Sequence, residues 1–162
     1  MNRRRFLSFF IGILIFSSGF NANAENLMTA EEINAIHMAL DDEYKAYTTY
    51  QAYLEHFGEV KPFSNIVNSE KRHIEALSVL LEKQNLSLPD NPYKIEDIKI
   101  PGSLKQACEI AVEAEVVNDE LYRNELLPAV SSKPDIIMVF ENLADASKYR
   151  HLKAFERCVE RF

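Results

Sequence analysis

The stretch "NSEKRHIEAL", Asn68–Leu77, sets Glu70 and His73 three residues apart. On an α-helix that spacing puts both side chains on one face. The same face carries Ile66, Val67, Ile74, Leu77 and Leu81. A carboxylate and an imidazole inside an apolar stripe need a reason, because a lone buried carboxylate is costly and takes up a proton instead of keeping its charge.

On either side of this stretch apolar residues recur at intervals of three and four, the period of an amphipathic helix. Beyond residue 24 only Gly58 and Gly102 interrupt the chain as glycines, and no run of alternating β-branched residues is present. The pattern predicts four helices. The first runs from about Ala30 to Phe57, with Thr29 and Glu32 forming a capping box and Gly58 ending it. The second runs from about Pro62 to Asn85, with Pro62 in its first turn. The third runs from about Leu104 to Leu127 behind Ser103, and the fourth from about Pro134 to Arg161. Each spans roughly 35–42 Å at ~1.5 Å per residue.

The connections are uneven. Two are short and predict antiparallel hairpins. The third, residues 86–101, carries Pro89, Pro92 and Pro101. At ~3.3 Å per residue it is long enough to run the length of a bundle. The expectation is an all-α four-helix bundle, two hairpins joined by one long crossover between helices 2 and 3.

Residues 1–24 are set apart from this domain. Arg3, Arg4 and Arg5 precede an apolar run from Phe6 to about Phe20, and Ala22-Asn23-Ala24 offers small residues at a cleavage site. This is the pattern of a secretory signal peptide, with an uncleaved anchor as the alternative. Cleavage would leave residues 25–162 as one domain, free of the membrane and periplasmic or secreted. The leader holds three arginines and no acid, so 15 basic and 25 acidic residues remain, a net charge of −10. That balance argues against a nucleic-acid partner. Cys108 and Cys158 can form a disulfide in an oxidising compartment, pinning helix 3 to helix 4.

Helical wheels sort the polar residues. In helix 1, Glu43 falls in the arc of Ile33, Ile36, Leu40, Tyr47 and Leu54, and Asp42 opposite it. In helix 2, Glu70 is central to the apolar arc and His73 is at its shoulder. Helix 3 reads as Ala107, Ile110, Ala111, Ala114, Val117 and Leu121 inward, with Glu109, Glu113 and Glu120 as a solvated stripe. Glu115 stands apart from that stripe and is the favoured inward acid, with Glu113 the alternative. In helix 4, His151 lies in the arc of Ile136, Phe140, Leu143, Ser147, Ala154 and Cys158. Reflecting each hairpin about its turn levels Glu43 with His73, Glu115 with His151, and Cys108 with Cys158. The inward set is therefore Glu43, Glu70, His73, Glu115 and His151, which a bound cation would stabilise. Tyr44, Tyr47, Tyr50 and Tyr53 drift around helix 1 as packing residues, with Tyr47 or Tyr50 able to reach such a site. His37 and His56 lie off its level, on the surface.

ExxH on helix 2 with a Glu on helix 1 resembles the first half of the ferritin-like di-iron carboxylate pattern. "AVEAEVVNDELY" is similar to the third helix of rubrerythrin-type proteins. "FENLADASKYRHLKAF" resembles the fourth helix of exported bacterial ferritin-like proteins of a domain of unknown function. The resemblance covers about residues 30–155. It implies a ferritin-like bundle in which Glu43, Glu70, His73, Glu115 and His151 bind metal, Glu70 as the bridging carboxylate. It also implies iron, with manganese or zinc as alternatives, in one or two ions, and O2 or peroxide as reactants. Two positions depart from the pattern. Lys148 stands where the second ExxH would have its acid, and Asn118 where a further carboxylate can occur. The expected activity is ferroxidase or peroxide-reducing oxidoreductase chemistry in a monomer or homodimer. The alternative is a non-catalytic exported bundle, a binding or structural module whose inner polar residues form a network.

Overall fold

A computed structural model describes residues 27–162. The signal-peptide expectation for residues 1–24 lies outside the described residues. The chain is an all-α four-helix bundle. Helix α1 is Ala30–Phe57 and α2 is Phe63–Glu82. Helix α3 covers residues 104–129 and α4 residues 134–161, each in three consecutive segments. The middle segment is a single π-helical turn, Tyr122–Leu126 in α3 and Ser147–His151 in α4.

The ends of α1 follow its sequence. Glu32 N–H donates to Thr29 Oγ1 at 3.1 Å, and Thr29 N–H donates to Glu32 Oε2 at 2.7 Å, the reciprocal capping box. Gly58, at φ 83°, closes the far end with its N–H on the Leu54 carbonyl. A side chain would be strained there. Pro62 is the residue before α2 and not within its first turn, and α2 stops at Glu82, three residues short of the expected end.

Hydrogen bonds fix the relative directions. Ser132 Oγ, in the α3–α4 turn, donates to Glu32 Oε1 at 2.7 Å, and Met28 N–H donates to Gln84 Oε1 at 3.3 Å. The start of α1, the end of α2 and the α3–α4 turn therefore share one end of the bundle. Residues 86–101 must climb its full length to begin α3 at the other end. They do so along α1: Tyr44 and Tyr93 hydroxyls donate to the Pro89 carbonyl and to Asp41, and Asn91 donates to Thr48.

The core is in two parts. One cluster joins Ile36, Leu40, Leu77, Leu81, Tyr122, Ile136 and Phe140 at the α3–α4 turn end. The other joins Tyr50, Phe63, Ile66, Ala107, Phe155 and the disulfide-bonded Cys108–Cys158 pair at the opposite end. The polar layer described below lies between them.

The π turns keep a run of fours inward. Leu143, Ser147, His151 and Phe155 are all buried, as are Asn118, Tyr122, Leu126 and Val130. Three successive steps of four overshoot three α-turns by about 120°. One wider π turn absorbs that drift and keeps all four residues inward. In α3 the inward residues are Ala107, Cys108, Ala111, Glu115, Asn118 and Tyr122. Ile110, Ala114 and Val117, expected inside, are exposed, with Val117 at 59 %. The error was a wheel rotated by one position, because small alanines flank both faces of α3.

Candidate metal centre

Three of the four helices send one carboxylate each into the gap between the two apolar clusters, and two send an imidazole. Glu43, Glu70, His73, Glu115 and His151 are all buried. Glu113, the alternative for α3, is exposed. The five side chains form one continuous chain of contacts. His73 Nδ1 lies 3.1 Å from Glu43 Oε2 and 2.9 Å from Glu70 Oε2. The other Glu70 oxygen, Oε1, lies 3.2 Å from His151 Nδ1, which is 3.5 Å from Glu115 Oε2. Each outer carboxylate accepts a tyrosine hydroxyl on its remaining oxygen. Tyr122 donates to Glu43 Oε1 at 2.9 Å and Tyr50 to Glu115 Oε1 at 2.8 Å.

The order is thus Tyr122–Glu43–His73–Glu70–His151–Glu115–Tyr50, which reads alike from both ends. Glu70 is its midpoint, with one oxygen for each imidazole. The two rings lie nearly parallel, 18° apart in plane with centroids 5.5 Å apart. Glu70, His73 and His151 each offer a ligand atom within 4.8 Å of the others, so this group could hold a metal ion.

Electrostatics follow from burial and pairing. Burial alone would raise Glu70, but the imidazoles of His151 and His73 outweigh it and hold the carboxyl down at about 2. Burial would lower both histidines, but the carboxylates around them win, raising His73 to about 10 and His151 to about 9. Burial raises Glu43 and Glu115 in spite of their histidine neighbours. Tyr50 and Tyr122 are pushed well above the usual phenol range by burial and by the adjacent acids, so they act as neutral donors. Protons on the imidazoles therefore carry positive charge where a cation would otherwise sit.

The donor set fits a cation on a separate ground. His151 Nδ1 is buried and near two carboxylates, yet aligned with neither, and so has no hydrogen-bond partner. Its contacts there are ion pairs at 3.2 and 3.5 Å, looser than those of His73, so its bonding is incomplete. A divalent ion shared with Glu70 and Glu115 would satisfy it. Three carboxylates and two imidazoles suit iron, manganese or zinc.

Of the aromatic residues, Tyr50 reaches the layer, whereas Tyr47 accepts a hydrogen bond from Gln51. Tyr122 was not singled out by the sequence, although its heptad spacing from Glu115 was a usable signal. Lys148 turns outward, its Nζ 3.1 Å from Asp119 Oδ2, and buried Ser147 takes the inward position. The wider π turn advances less per residue than an α-turn, so residues 148 and 151 part company while 147 and 151 align. Asp42, expected opposite the core, is half-buried and accepts from Asn118 Nδ2 on α3.

A family model matches residues 32–162. The chain belongs to the DUF2202 family, an uncharacterized protein domain. No curated protein and no solved structure matches this DUF2202 chain. Among the described residues no helix is long and apolar enough to cross a membrane.

Proposed function

We propose that this DUF2202 chain is a ferritin-like metal-binding protein whose resident ion is iron, held by Glu43, Glu70, His73, Glu115 and His151. The observation that carries the reading is the division of Glu70: one oxygen faces His73 and the other His151. Two Glu–His pairs, Glu43 with His73 and Glu115 with His151, thereby flank a shared carboxylate, a donor set that would serve one ion or two. Bound iron supplies one-electron chemistry with O2 or peroxide, which makes ferroxidase or peroxide reduction the activity to assay.

The protein's own groups have distinct tasks in this reading. Tyr122 and Tyr50 fix the outer carboxylates by donating to the oxygen that faces away from the imidazoles. The two apolar clusters close the layer along the bundle axis, above and below it. A cavity of ≈ 520 Å³ between α1 and α3 leads to Glu43, Glu70 and Glu115, with Asp42, Asp97 and Glu113 along it. Lys45 and Lys99 line it too, but its acids outnumber them, so it attracts cations and is the entry route in this reading.

Export belongs to the same proposal: residues 1–24 as a cleaved signal peptide, and residues 25–162 as a periplasmic or secreted domain. The Cys108–Cys158 disulfide supports this, because such bonds persist in oxidising compartments.

Metal analysis of anaerobically prepared protein tests the reading. Stoichiometric iron in the wild type, followed by oxidation of Fe(II) on aeration, is expected. A wild-type protein that holds no stoichiometric metal would favour the second reading, a structural module. The closed Tyr–Glu hydrogen bonds at both ends of the layer support that reading, since they need no ion.

A further inference from the structure

The polar layer has a second exit, on the α2/α4 side, and its charge is opposite to the first. Here a cavity of ≈ 580 Å³ has His73 and His151 at its floor. Arg72 and Arg150 also line it, together with Asn65 and Asn142, all four of them exposed. No acidic residue lines it. The lining has a sequence origin. Arg72-His73 on α2 and Arg150-His151 on α4 are the same dipeptide on facing helices. Neighbours on a helix differ by about 100°. When each His turns into the layer, each Arg is left on the flank of the groove.

Several cations of α3 and α4 are held by carboxylates, whereas Arg72 and Arg150, like Arg157 and Arg161 farther along α4, pair with none among the described residues. Arg123 binds Asp119 and Asp145, Lys148 binds Asp119, and Lys153 binds Glu156. Among the described residues no carboxylate lies within ion-pair distance of Arg72 or Arg150. What sets these two apart is that they line one cavity together with no acid in its wall.

We propose that this groove is an oxyanion site, taking a small phosphate-class anion between the two guanidiniums. Each guanidinium presents several donors in a fixed fork that matches phosphate oxygens. The Asn65 and Asn142 amides add further donors. A four-oxygen anion uses that many donors, where a carboxylate with two oxygens leaves some idle. Both histidines turn Nδ1 toward the carboxylate layer, and His73 turns Nε2 toward Ser69, a wall residue of the same groove, at 3.3 Å. The anion and a metal ion thus address opposite edges of the imidazoles, and anion binding stands apart from the metal reading.

The test is calorimetric titration of inorganic phosphate into chelator-treated, metal-free protein, against chloride at equal ionic strength. One saturable phosphate per chain is expected. Arg72→Gln and Arg150→Gln should each weaken it about tenfold or more, the cost of losing a charge-assisted contact. Lys71→Gln, which removes the same charge one residue away on the surface outside this groove, should leave it unchanged. Three results would overturn the proposal. One is no saturable heat beyond the chloride control. Another is an equal loss in the Lys71 and Arg72 variants, the mark of general charge attraction. The third is phosphate binding that needs added iron and ignores Arg72→Gln, which would place the anion on the metal.

Discussion

In α2 the buried positions step through Ile66, Glu70, His73, Leu77 and Leu80, alternating four and three as a straight α-helix requires. In α4 they step through Leu143, Ser147, His151 and Phe155, four each time. Both helices deliver an imidazole to the same layer. The α1–α2 hairpin does so with unbroken helices and an acid three residues before its histidine. The α3–α4 hairpin needs a π turn in each helix, places Ser147 where an acid would aim, and is tied by a disulfide and by the Asp119–Arg123–Asp145 ion pairs. The second half reaches the layer through a wider turn of backbone in each helix, and it brings one carboxylate and one imidazole there where the first half brings two carboxylates and one imidazole.

The strongest test of that comparison is Glu70→Ala, because Glu70 serves both halves. Loss of a supporting partner around a metal ligand costs about 10–100-fold in affinity. Loss of the shared carboxylate should exceed that and abolish stoichiometric iron, as read by anaerobic titration and metal analysis. His73→Ala and His151→Ala should each spare one half. His73→Ala should be the more damaging, since His73 Nδ1 stands 3.1 and 2.9 Å from its two carboxylates whereas His151 Nδ1 stands 3.2 and 3.5 Å from its own. Equal losses would mean that the two halves are equivalent in spite of their backbones.

Next in size is the disulfide, which belongs to the α3–α4 hairpin alone. Cys108 and Cys158 are 50 residues apart. Closing a loop of that length contributes about 4 kcal/mol on the chain-entropy view. Cys108→Ala/Cys158→Ala should therefore lower the thermal midpoint by many degrees, followed by circular dichroism. Hydrogen exchange should show α3 and the second half of α4 opening before α1 and α2. Uniform loss of protection would instead make the bundle one cooperative unit.

The halves should also part on the pH axis. Without metal, His73 is raised to about 10 and His151 to about 9, so a cation must displace protons from both. Affinity should rise with pH, binding should release protons, and the His151 side should deprotonate first. Titrations in buffers of different ionisation enthalpy count those protons. Stability of the metal-free fold has the opposite sign. Unfolded histidine titrates near ~6.5, so the contribution of these raised groups is complete below that pH. It is then lost as pH rises through about 9 for His151 and about 10 for His73.

The same contrast governs what the sequence made legible. In the α1–α2 hairpin the Thr29 cap and the inward Glu43, Glu70 and His73 were legible, because a 100° wheel suits unbroken helices, although Ile33, Tyr47 and Leu54, placed inward, are only half-buried and Asp42, placed opposite, is half-buried too. For α3 the wheel put Ile110, Ala114 and Val117 inside, since nothing apolar and large marks its true face until Tyr122. A run of fours, 118–122–126–130 and 143–147–151–155, was the visible signal of the π turns. The tyrosine ends of the network were less accessible. The wheel put Tyr47 in the inward arc, yet it is Tyr50, packed against Phe63 and Phe155, that is buried and reaches the layer.

The smallest predicted effect separates sequence pattern from structure most cleanly. Lys148→Glu writes a second ExxH into α4, with the acid three residues before His151. On a straight helix it would add a fourth carboxylate and strengthen metal binding. On the π turn, position 148 faces Asp119 across the outside of the hairpin, so the new acid would meet another acid. Iron stoichiometry and affinity should stay unchanged. The loss of one half-exposed ion pair should cost no more than about 1 kcal/mol in a denaturant midpoint. A gain in affinity would show that α4 can unwind its π turn to recruit the residue, and that the two hairpins differ in side chains alone.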